Sequence, residues 1–554
     1  MVRIALLLPF ALIAGLAAAP REAVAAKNGM VVCVSPPATE VGVAILEEGG
    51  NAVDAAVAVA FAMAVTWPEA GNIGGGGFMM IGPPGKDPTC IEYRETAPAA
   101  ATETMFANGN VSPYSHLVSG VPGTVRGLEK AHKSFGKLPW KRVVMPAVKL
   151  AEEGFIVNAV LARGLNAVLA SKNTTNAEFR RVYGKPSGTW QAGDTLKLAD
   201  LGRTLRIIAE KGPSEFYTGE PGQALIAEMK RGGGLITADD LAGYAAVERE
   251  PIRIAYRGWN IFGPPPPSGG GIVLAETLNI LENFELNSHD RWSAEVNHLI
   301  VESMKRAYAD RTRHLGDPAF TAIPKHLLAK EHAKKLAAGI DRDKATPAAS
   351  LAPDIPLMAE SDSTTHFSVV DRDGLAVSNT YTLENSYGSR VVVRGAGYIL
   401  NNEMTDFNPA PGITTTKGQI GTKPNLVAPK KRMLSSQTPV LAYRDGKLRL
   451  ITGSPGGRTI TNTVACVLIN VVDFGMSPTE AVDAPRLHHQ WLPDAVRFEG
   501  VKEHPELVKK LQAMGHMVTA QRQGDAHTIA VDAKTGMFLG AADRRLDGLA
   551  KGLK

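Results

Sequence analysis

The chain has 554 residues, of which 44% are hydrophobic and 21% are charged, and its formal net charge is +5 at pH 7. This composition is typical of a globular protein with a large core. Because the net charge is small for this length and the basic residues are scattered, a nucleic-acid partner is not indicated. Three cysteines, Cys33, Cys90 and Cys466, lie far apart in hydrophobic surroundings, which favours buried thiols over a disulfide framework or a metal site.

The N-terminal segment has the features of an export signal. Residues 1–3 carry a positive charge, residues 4–19 form an apolar run, and Ala23-Val24-Ala25 is a small-x-small cleavage site. The apolar run is too short and too interrupted for a transmembrane helix. We therefore predict a signal peptide over residues 1–25 and an exported protein, periplasmic or secreted.

The next segment predicts mixed α and β structure. Residues 30–35 are typical of a short strand, residues 37–48 of a helix, and an alanine-rich helix ends near residue 65. The second helix is apolar on nearly every face and is predicted to be buried. The glycine-rich residues 71–78 lack the Gly-Lys-Ser/Thr ending of a phosphate loop and fit no dinucleotide spacing, so they predict a closely packed loop.

The middle of the chain, residues 136–345, is predicted to be largely helical. It includes an amphipathic helix over residues 293–314 with Ser293 as its N-cap. Residues 341–360 are the most linker-like, because several prolines interrupt any periodicity.

Residues 361–388 predict an antiparallel hairpin. The sequence Asp371-Arg372-Asp373-Gly374 is typical of a tight turn, and it lies between two runs of β-branched, aromatic and small residues. Counting back from the turn places Thr364 opposite residues 381–383, so that the hydroxyl of Thr382 approaches that of Thr364. Threonine is common in strands, so the pattern alone also fits an ordinary hairpin.

This stretch resembles the processing and catalytic segment of the γ-glutamyltransferases. The resemblance rests on Ser-Thr-Thr-His-Phe-Ser-Val-Val-Asp at residues 363–371, followed by Thr-Tyr-Thr-Leu and Tyr-Gly-Ser, and it extends over about residues 28–550. It implies that the chain is cut between Ser363 and Thr364 and that Thr364 becomes the N-terminal nucleophile, with Thr382 as its hydroxyl partner. The chemistry agrees, because a free α-amino group on the nucleophile has a pKa near neutrality and can act as its base.

The resemblance also implies a substrate site. A guanidinium matches a carboxylate bidentately, carboxylates suit an ammonium, and consecutive glycines can aim two N–H groups at one oxyanion. The implied positions are Arg94, Ser435 and Ser436 for the α-carboxylate, Glu384, Glu403 and Asp406 for the α-amino group, and Gly456 and Gly457 for the oxyanion hole. Glu384 stands where many members have Asn, and Lys417 stands in a lid-like loop, residues 411–422, where some members have Tyr.

The fold implied by the resemblance is α+β, a four-layer αββα N-terminal-nucleophile hydrolase sandwich. It would consist of a large subunit, residues 26–363, and a small catalytic subunit, residues 364–554. The implied reaction transfers a γ-glutamyl group from glutathione or another γ-glutamyl amide, through an ester on Thr364, to water or to an amino-acid or peptide amine.

No cofactor is expected. His488-His489 is a structural pair rather than a metal site, because adjacent histidines point to different faces and no acid or thiol cluster completes a site. Two alternatives stay open: a glutaryl-cephalosporin acylase of the same superfamily, and an exported binding protein without turnover.

Overall fold

The computed structural model describes residues 21–109, 111–355, 358–359 and 364–553. Most of the predicted signal peptide, and Ser363 at the predicted cleavage site, lie outside the described residues. The helices are α1 Pro36–Glu47, α2 Ala52–Thr66, α3 Thr124–Phe135, α4 Trp140–Glu153, α5 Ala159–Ala170, α6 Ala177–Tyr183, α7 Ala199–Lys211, α8 Glu215–Thr218, α9 Glu220–Gly232, α10 Ala238–Gly243, α11 Gly270–Leu281, α12 Ala294–His314, α13 Lys330–Ala338, α14 Ala348–Leu351, α15 Thr459–Val472, α16 Pro478–Asp483 and α17 Pro505–Ala513. The strands are β1 Val24–Ala26, β2 Gly29–Cys33, β3 Gly76–Gly82, β4 Thr89–Glu92, β5 Phe155–Ile156, β6 Thr195–Leu196, β7 Val247–Arg249, β8 Ile252–Tyr256, β9 Trp259–Gly263, β10 Met358–Ala359, β11 Thr365–Asp371, β12 Ala376–Thr382, β13 Gly418–Gln419, β14 Val440–Arg444, β15 Lys447–Thr452, β16 Leu487–His488, β17 Val496–Phe498, β18 Val518–Ala520, β19 His527–Val531, β20 Phe538–Ala542 and β21 Leu549–Gly552.

Two seven-stranded sheets form the centre of the molecule. Their strand orders are β21-β2-β11-β12-β3-β4-β7 and β1-β20-β19-β15-β14-β9-β8. Side chains of both sheets, among them Met30, Phe78, Leu441 and Ile529, form one buried apolar cluster between them. The sheets therefore pack face to face.

Helices cover both outer faces. Every residue of α2 is buried, and it joins α1, α3, α4 and the outer side chains of β11 and β12 in one apolar cluster. On the other side, α11, α12 and α15 pack with residues of β8, β9, β14 and β15. The order of layers is helix, sheet, sheet, helix, which confirms the predicted four-layer α+β architecture.

The structure also confirms several local predictions. The strand and two helices near the N-terminus appear as β2, α1 and α2, and Ser293 caps α12 by accepting a hydrogen bond from the N–H of Val296 at 3.2 Å. The three cysteines are buried free thiols. No helix in the described part of the chain is both long enough and apolar enough to cross a membrane.

The structure refines two predictions. The region over residues 136–345 is largely helical, as predicted, but it also contains the strands β5 to β9, and β8 and β9 form a hairpin around Arg257 and Gly258, both with positive φ. The predicted linker contains α14, and its N-terminal part is tied to α12, since Lys305 Nζ donates to the carbonyl of Thr346 at 2.6 Å. In addition, β1 includes the last two residues of the predicted signal peptide, Val24 and Ala25, which pair with β20.

Candidate active site

The predicted hairpin is present with the predicted register. Strands β11 and β12 pair antiparallel with Thr365 opposite Tyr381, so the preceding residue, Thr364, lies at the level of Thr382. The hairpin is fixed at its turn, because the Asp371 carboxylate accepts the N–H of Asp373 at 2.9 Å and that of Ala52, at the start of α2, at 2.9 Å. Two threonine hydroxyl groups are thereby brought to one end of a rigid strand pair.

A polar pocket opens beside Thr364. It gathers residues from eight separate stretches of sequence. Its lining consists of Arg94, Arg311, Thr364, Thr382, Glu384, Asp406, Asn408, Asn425, Ser435, Ser436, Gln437, Gly457, Arg458 and Ile460. Eight of the ten predicted catalytic and substrate-binding residues are in this lining. Of the other two, Glu403 lies beside Arg94, and Gly456 lines an adjoining groove that also includes Thr364.

Arg94 is a fully buried cation at this pocket. It forms ion pairs with Glu403 and Asp406, its Nη1 lies 3.5 Å from Glu95 Oε2, and its Nε donates to the carbonyl of Met433 at 3.3 Å. Burial by itself lowers the pKa of Arg94, but the neighbouring carboxylates raise it above its usual value. The guanidinium is therefore held charged at all ordinary pH values.

The three predicted ammonium ligands converge, because one carboxylate oxygen from each of Glu384, Glu403 and Asp406 lies within 4.8 Å of the others. Burial raises the pKa of Glu403 well above its usual value, and Arg94 offsets this only in part. Arg94 contacts two of these acids, Glu403 and Asp406, directly. The carboxylate and ammonium ends of a zwitterion would thus meet one continuous charged cluster.

The serine pair is positioned by its backbone and by α12. The N–H of Ser435 donates to the carbonyl of Pro267 at 2.9 Å, and its carbonyl accepts the N–H of Gly269 at 2.8 Å. The Oγ of Ser436 accepts a hydrogen bond from Nη2 of Arg311 at 3.1 Å. Both hydroxyl groups therefore sit at the wall of the pocket with a second arginine behind them.

The glycine pair lies just before α15. Gly456 and Gly457 have φ values of +128° and +53°, which L side chains rarely adopt. A Cβ on Gly456 would lie 2.4 Å from the hydroxyl oxygen of Thr459, so that position has no room for a larger residue. An oxyanion beside Gly457 would also face the positive end of the α15 dipole.

Sequence reasoning missed five polar residues of the pocket, which are Arg311, Asn408, Asn425, Gln437 and Arg458. Burial lowers the pKa of Arg458 to about 9, and the charge of Arg311 acts in the same direction. Arg458 directly follows the glycine pair, and Gln437 directly follows the serine pair. Both residues could therefore have been predicted as pocket residues from their position next to a motif. Arg311 had no such signal, because it is 125 residues from Ser436 in the sequence.

The histidine pair is buried away from this pocket. Nδ2 of Asn462 donates to His488 at 2.8 Å, and Nε2 of His489 lies 3.1 Å from Asp494 Oδ1. Burial lowers the pKa of His488 to about 3. The predicted structural role agrees with these contacts.

A family model described as Gamma-glutamyltranspeptidase matches residues 38–553. The chain belongs to the gamma-glutamyltranspeptidase family. The Glutathione hydrolase proenzyme of Escherichia coli (strain K12) is 45% identical over 538 residues, which cover 96% of this chain and 92% of that protein. These findings confirm the family membership that the sequence motifs suggested.

Solved structures agree with this assignment. The cephalosporin acylase from Bacillus halodurans has a TM-score of 0.87 and 28% identity, and covers 96% of this chain and 97% of that chain. The gamma-glutamyltranspeptidase from Pseudomonas nitroreducens complexed with L-DON has a TM-score of 0.53 and 42% identity, and covers 56% of this chain and 94% of that chain. The fold of the family member described here is the N-terminal-nucleophile hydrolase sandwich.

Proposed function

We propose that this protein hydrolyses glutathione and other γ-glutamyl amides, and transfers their γ-glutamyl group to amino-acid or peptide amines. The observation that carries the proposal is the pocket itself, which joins Thr364 and Thr382 to Arg94 and to a converging set of carboxylates. A γ-glutamyl head has one carboxylate, one ammonium and one acyl carbon, and this pocket offers a partner for each.

Maturation comes first in the proposed reaction. The Thr364 hydroxyl attacks the carbonyl of Ser363, and water opens the resulting ester to leave a large subunit, residues 26–363, and a small subunit, residues 364–554. The cut gives Thr364 a free α-amino group. An amine of that kind has a pKa near neutrality, so it can accept the hydroxyl proton during catalysis.

Acyl transfer then proceeds in two steps. The Thr364 oxygen attacks the γ-carbonyl of the donor, and the N–H groups of Gly456 and Gly457 stabilise the oxyanion. One such donor typically contributes about 2.7–4 kcal/mol to transition-state stabilisation. The α-amine returns the proton to the leaving amine, and water or an acceptor amine then attacks the ester and releases Thr364. The hydroxyl of Thr382, beside Thr364, hydrogen-bonds the nucleophile.

Substrate choice follows from the charges around Arg94. We assign the α-carboxylate to Arg94, Ser435 and Ser436, and the α-ammonium to Glu384, Glu403 and Asp406. A glutaryl donor lacks the ammonium, so the converging carboxyl groups of Glu384, Glu403 and Asp406 lose the contacts that the ammonium would make and keep only those within the protein, such as the ion pairs of Glu403 and Asp406 with Arg94. A hydrogen bond to a charged group typically contributes about 1.5–3 kcal/mol.

Steady-state kinetics with γ-glutamyl and glutaryl p-nitroanilides test this assignment. We expect the γ-glutamyl compound to have a kcat/KM at least ~10-fold higher, since about 1.4 kcal/mol corresponds to a factor of ten. Asp406→Asn should narrow the gap by weakening the γ-glutamyl donor. The matched control is Asp87→Asn, a substitution of an exposed acid outside the pocket, which should leave both values unchanged. Equal values for the two compounds, or a glutaryl preference, would contradict the proposal and favour a cephalosporin-acylase type of activity.

We also propose that the protein is exported. The support is the N-terminal sequence pattern of residues 1–25. N-terminal sequencing of the protein in a periplasmic or culture fraction tests this, and an intact residue 1 in the mature protein would contradict it.

A further inference from the structure

A second polar cluster lies outside the active pocket, where α11, α12 and α13 meet. It consists of Glu276 on α11, Asp310 on α12 and His332 on α13, and one ligand atom from each lies within 4.8 Å of the other two. The Nε2 of His332 is 2.8 Å from Asp310 Oδ2 and 3.5 Å from Glu276 Oε1. Three different helices therefore aim oxygen and nitrogen atoms at one point.

Glu276 is the unusual member of this cluster. Its side chain is 1% exposed, and neither of its carboxylate oxygens has a hydrogen-bond donor among the residues that the structure describes. Its helix packs in an apolar cluster that includes Ala275 and Leu278. A buried carboxylate without a partner is strongly unfavourable, so this group requires a cation or a proton.

The arginine and lysine side chains near this cluster form ion pairs with acidic residues other than Glu276. Arg313 lies 3.2 Å from Asp310 Oδ1, but its Nη2 is also 2.7 Å from Asp354. Lys330, at the start of α13, pairs with Glu282, which is farther along α11. In the described residues no lysine or arginine nitrogen lies within 4.0 Å of a Glu276 oxygen. Among the described residues, His332 is the basic side chain with a nitrogen within 4.0 Å of a Glu276 oxygen, at 3.5 Å.

We propose that Glu276, Asp310 and His332 bind a divalent transition-metal cation of the Zn²⁺ class, with water completing the coordination. Two carboxylate oxygens and one imidazole nitrogen are an accepted ligand set for Zn²⁺, with bond lengths of about 2.0–2.2 Å. The imidazole disfavours Mg²⁺ and Ca²⁺, which prefer all-oxygen sites.

The geometry requires only a small adjustment. Ligand atoms of a tetrahedral site with such bonds lie about 3.4 Å apart, and the separation of His332 Nε2 from Glu276 Oε1 is already 3.5 Å. The 2.8 Å contact between His332 and Asp310 must lengthen. His332 is partly exposed, so a cation would enter the cluster past this ring.

This site differs from a similar cluster elsewhere on α12. His298, Glu302 and His516 are equally close together, but Lys305 and Arg306 both pair with Glu302. The carboxylate there is already neutralised, and a further cation would be repelled. That cluster supplies a matched control.

The sequence did not suggest the site, because its ligands are spread over 57 residues in three helices. A bound cation would join these helices and fix α12 at Asp310. The next residue, Arg311, donates to Ser436 in the active pocket. The cation is thus assigned a structural role and takes no part in the proposed acyl transfer.

The test uses the full-length purified protein, stripped with a chelator and reloaded with Zn²⁺ or Mg²⁺. Bound metal is measured by elemental analysis after gel filtration, together with the Tm. We expect one Zn²⁺ per chain and a Tm that rises with Zn²⁺, as for any ligand that binds only the folded state. Glu276→Gln and His332→Gln should each weaken Zn²⁺ binding at least ~10-fold, while His516→Gln should retain the metal.

Circular dichroism checks that each variant is folded, and the two ligand variants are independent, so loss of one to misfolding leaves the other decisive. The proposal is overturned if the wild-type protein holds no stoichiometric Zn²⁺. It is equally overturned if both ligand variants bind Zn²⁺ as the wild type does, or if Mg²⁺ and Zn²⁺ act alike. In those cases Glu276 shares a proton with Asp310 instead. The metal content and Tm of these variants do not bear on the proposed role of Thr364, which is tested separately by enzyme activity.

Discussion

Glu384 has a backbone conformation that its residue type disfavours. Its φ is +77°, in the left-handed region, although it is neither glycine nor asparagine. This bend lets the N–H of Glu384 donate to the Oγ1 of Thr382 at 2.8 Å. Strain at this residue therefore helps to hold the hydroxyl group that faces Thr364.

Replacing Glu384 with Asn should relieve this strain, because Asn adopts positive φ more readily than Glu. We expect Glu384→Asn to increase the free energy of unfolding by up to about 1 kcal/mol, part of the typical cost of a strained residue. Glu384→Gln is the control, since it removes the same charge without favouring positive φ. Urea unfolding measures both, and equal stabilities for the two variants would show that charge, not backbone strain, controls this position.

At the scale of single residues, the sequence predicted identities better than contacts. Thr364 and Thr382 were paired from turn chemistry alone, because a tight turn fixes the register of both strands. The direct contact of Arg94 with Glu403 and Asp406 was not predicted. It depends on how the residues that follow β4 pack against a segment that lies 312 residues later at Asp406. Patterns of neighbouring residues, such as turn sequences, carry no information on how distant segments pack.

The end of β12 is packed directly against the glycine loop before β3. A Cβ on Gly75 would lie 1.9 Å from the carbonyl oxygen of Thr382, a distance that no side chain tolerates. Gly75 also donates its N–H to Asn72 Oδ1 at 2.7 Å. This confirms the prediction of a closely packed loop and explains why glycine is needed beside the hairpin of β11 and β12.

Gly75→Ala should therefore displace the end of β12 and misplace Thr382. We expect a destabilisation of about 1–3 kcal/mol, as for other overpacked sites, together with slower turnover of a γ-glutamyl p-nitroanilide. Gly243→Ala is the matched control, because a Cβ there meets nothing within 4 Å. Thermal unfolding and steady-state rates are the measurements, and a Gly75→Ala protein that matches Gly243→Ala in both would refute the packing argument.

Helices and strands with strong local sequence signals were predicted correctly, whereas elements with weak local signals were missed. Helix α12 was predicted with its cap, because Ser293 precedes a long amphipathic run. The β8–β9 hairpin was missed, although aromatic and β-branched residues flank Arg257-Gly258. Its position between long helical stretches favoured the helical interpretation, and the pairing of β9 with β14 is set by residues far along the chain.

The two predicted subunits are interleaved in both sheets. Strand β2 of the large segment lies between β11 and β21 of the small segment, and β9 pairs with β14 in the other sheet. These backbone hydrogen bonds do not depend on the bond between residues 363 and 364. We therefore expect the fragments to stay together after the cut and to separate only under denaturing conditions.

The segment that leads to Thr364 is anchored by a buried charge cluster on α12. Glu302 pairs with Lys305 and Arg306, and its carboxylate accepts the N–H of Thr346 at 3.2 Å. Burial alone would raise the pKa of Glu302, but Lys305 and Arg306 lower it to about 2. At pH values above the ordinary carboxyl pKa, the charged form of Glu302 therefore stabilises the fold. This stabilisation is lost as the pH falls towards 2.

Glu302→Gln should remove this contribution. At pH 7 we expect a loss of about 3 kcal/mol in the free energy of unfolding, from about 1.4 kcal/mol per unit of pKa shift. The difference from wild type should narrow as the pH falls below about 4.5. Urea unfolding from pH 7 to pH 3.5 measures it, with Glu506→Gln, at an exposed pair on α17, as a control that changes little at any pH. A difference independent of pH would contradict the assigned charge.

The identity of the new N-terminus in the purified protein tests the proposed role of Thr364 most directly. Denaturing electrophoresis and N-terminal sequencing are applied to the wild type, Thr364→Ala and the neighbouring control Thr365→Ser. With Thr364 as the nucleophile, we expect two fragments for the wild type and for Thr365→Ser, with the small fragment beginning at residue 364. We expect a single uncut, inactive chain for Thr364→Ala. A small fragment that begins at Thr365, or normal cutting and turnover in Thr364→Ala, would contradict the assignment of Thr364 as nucleophile.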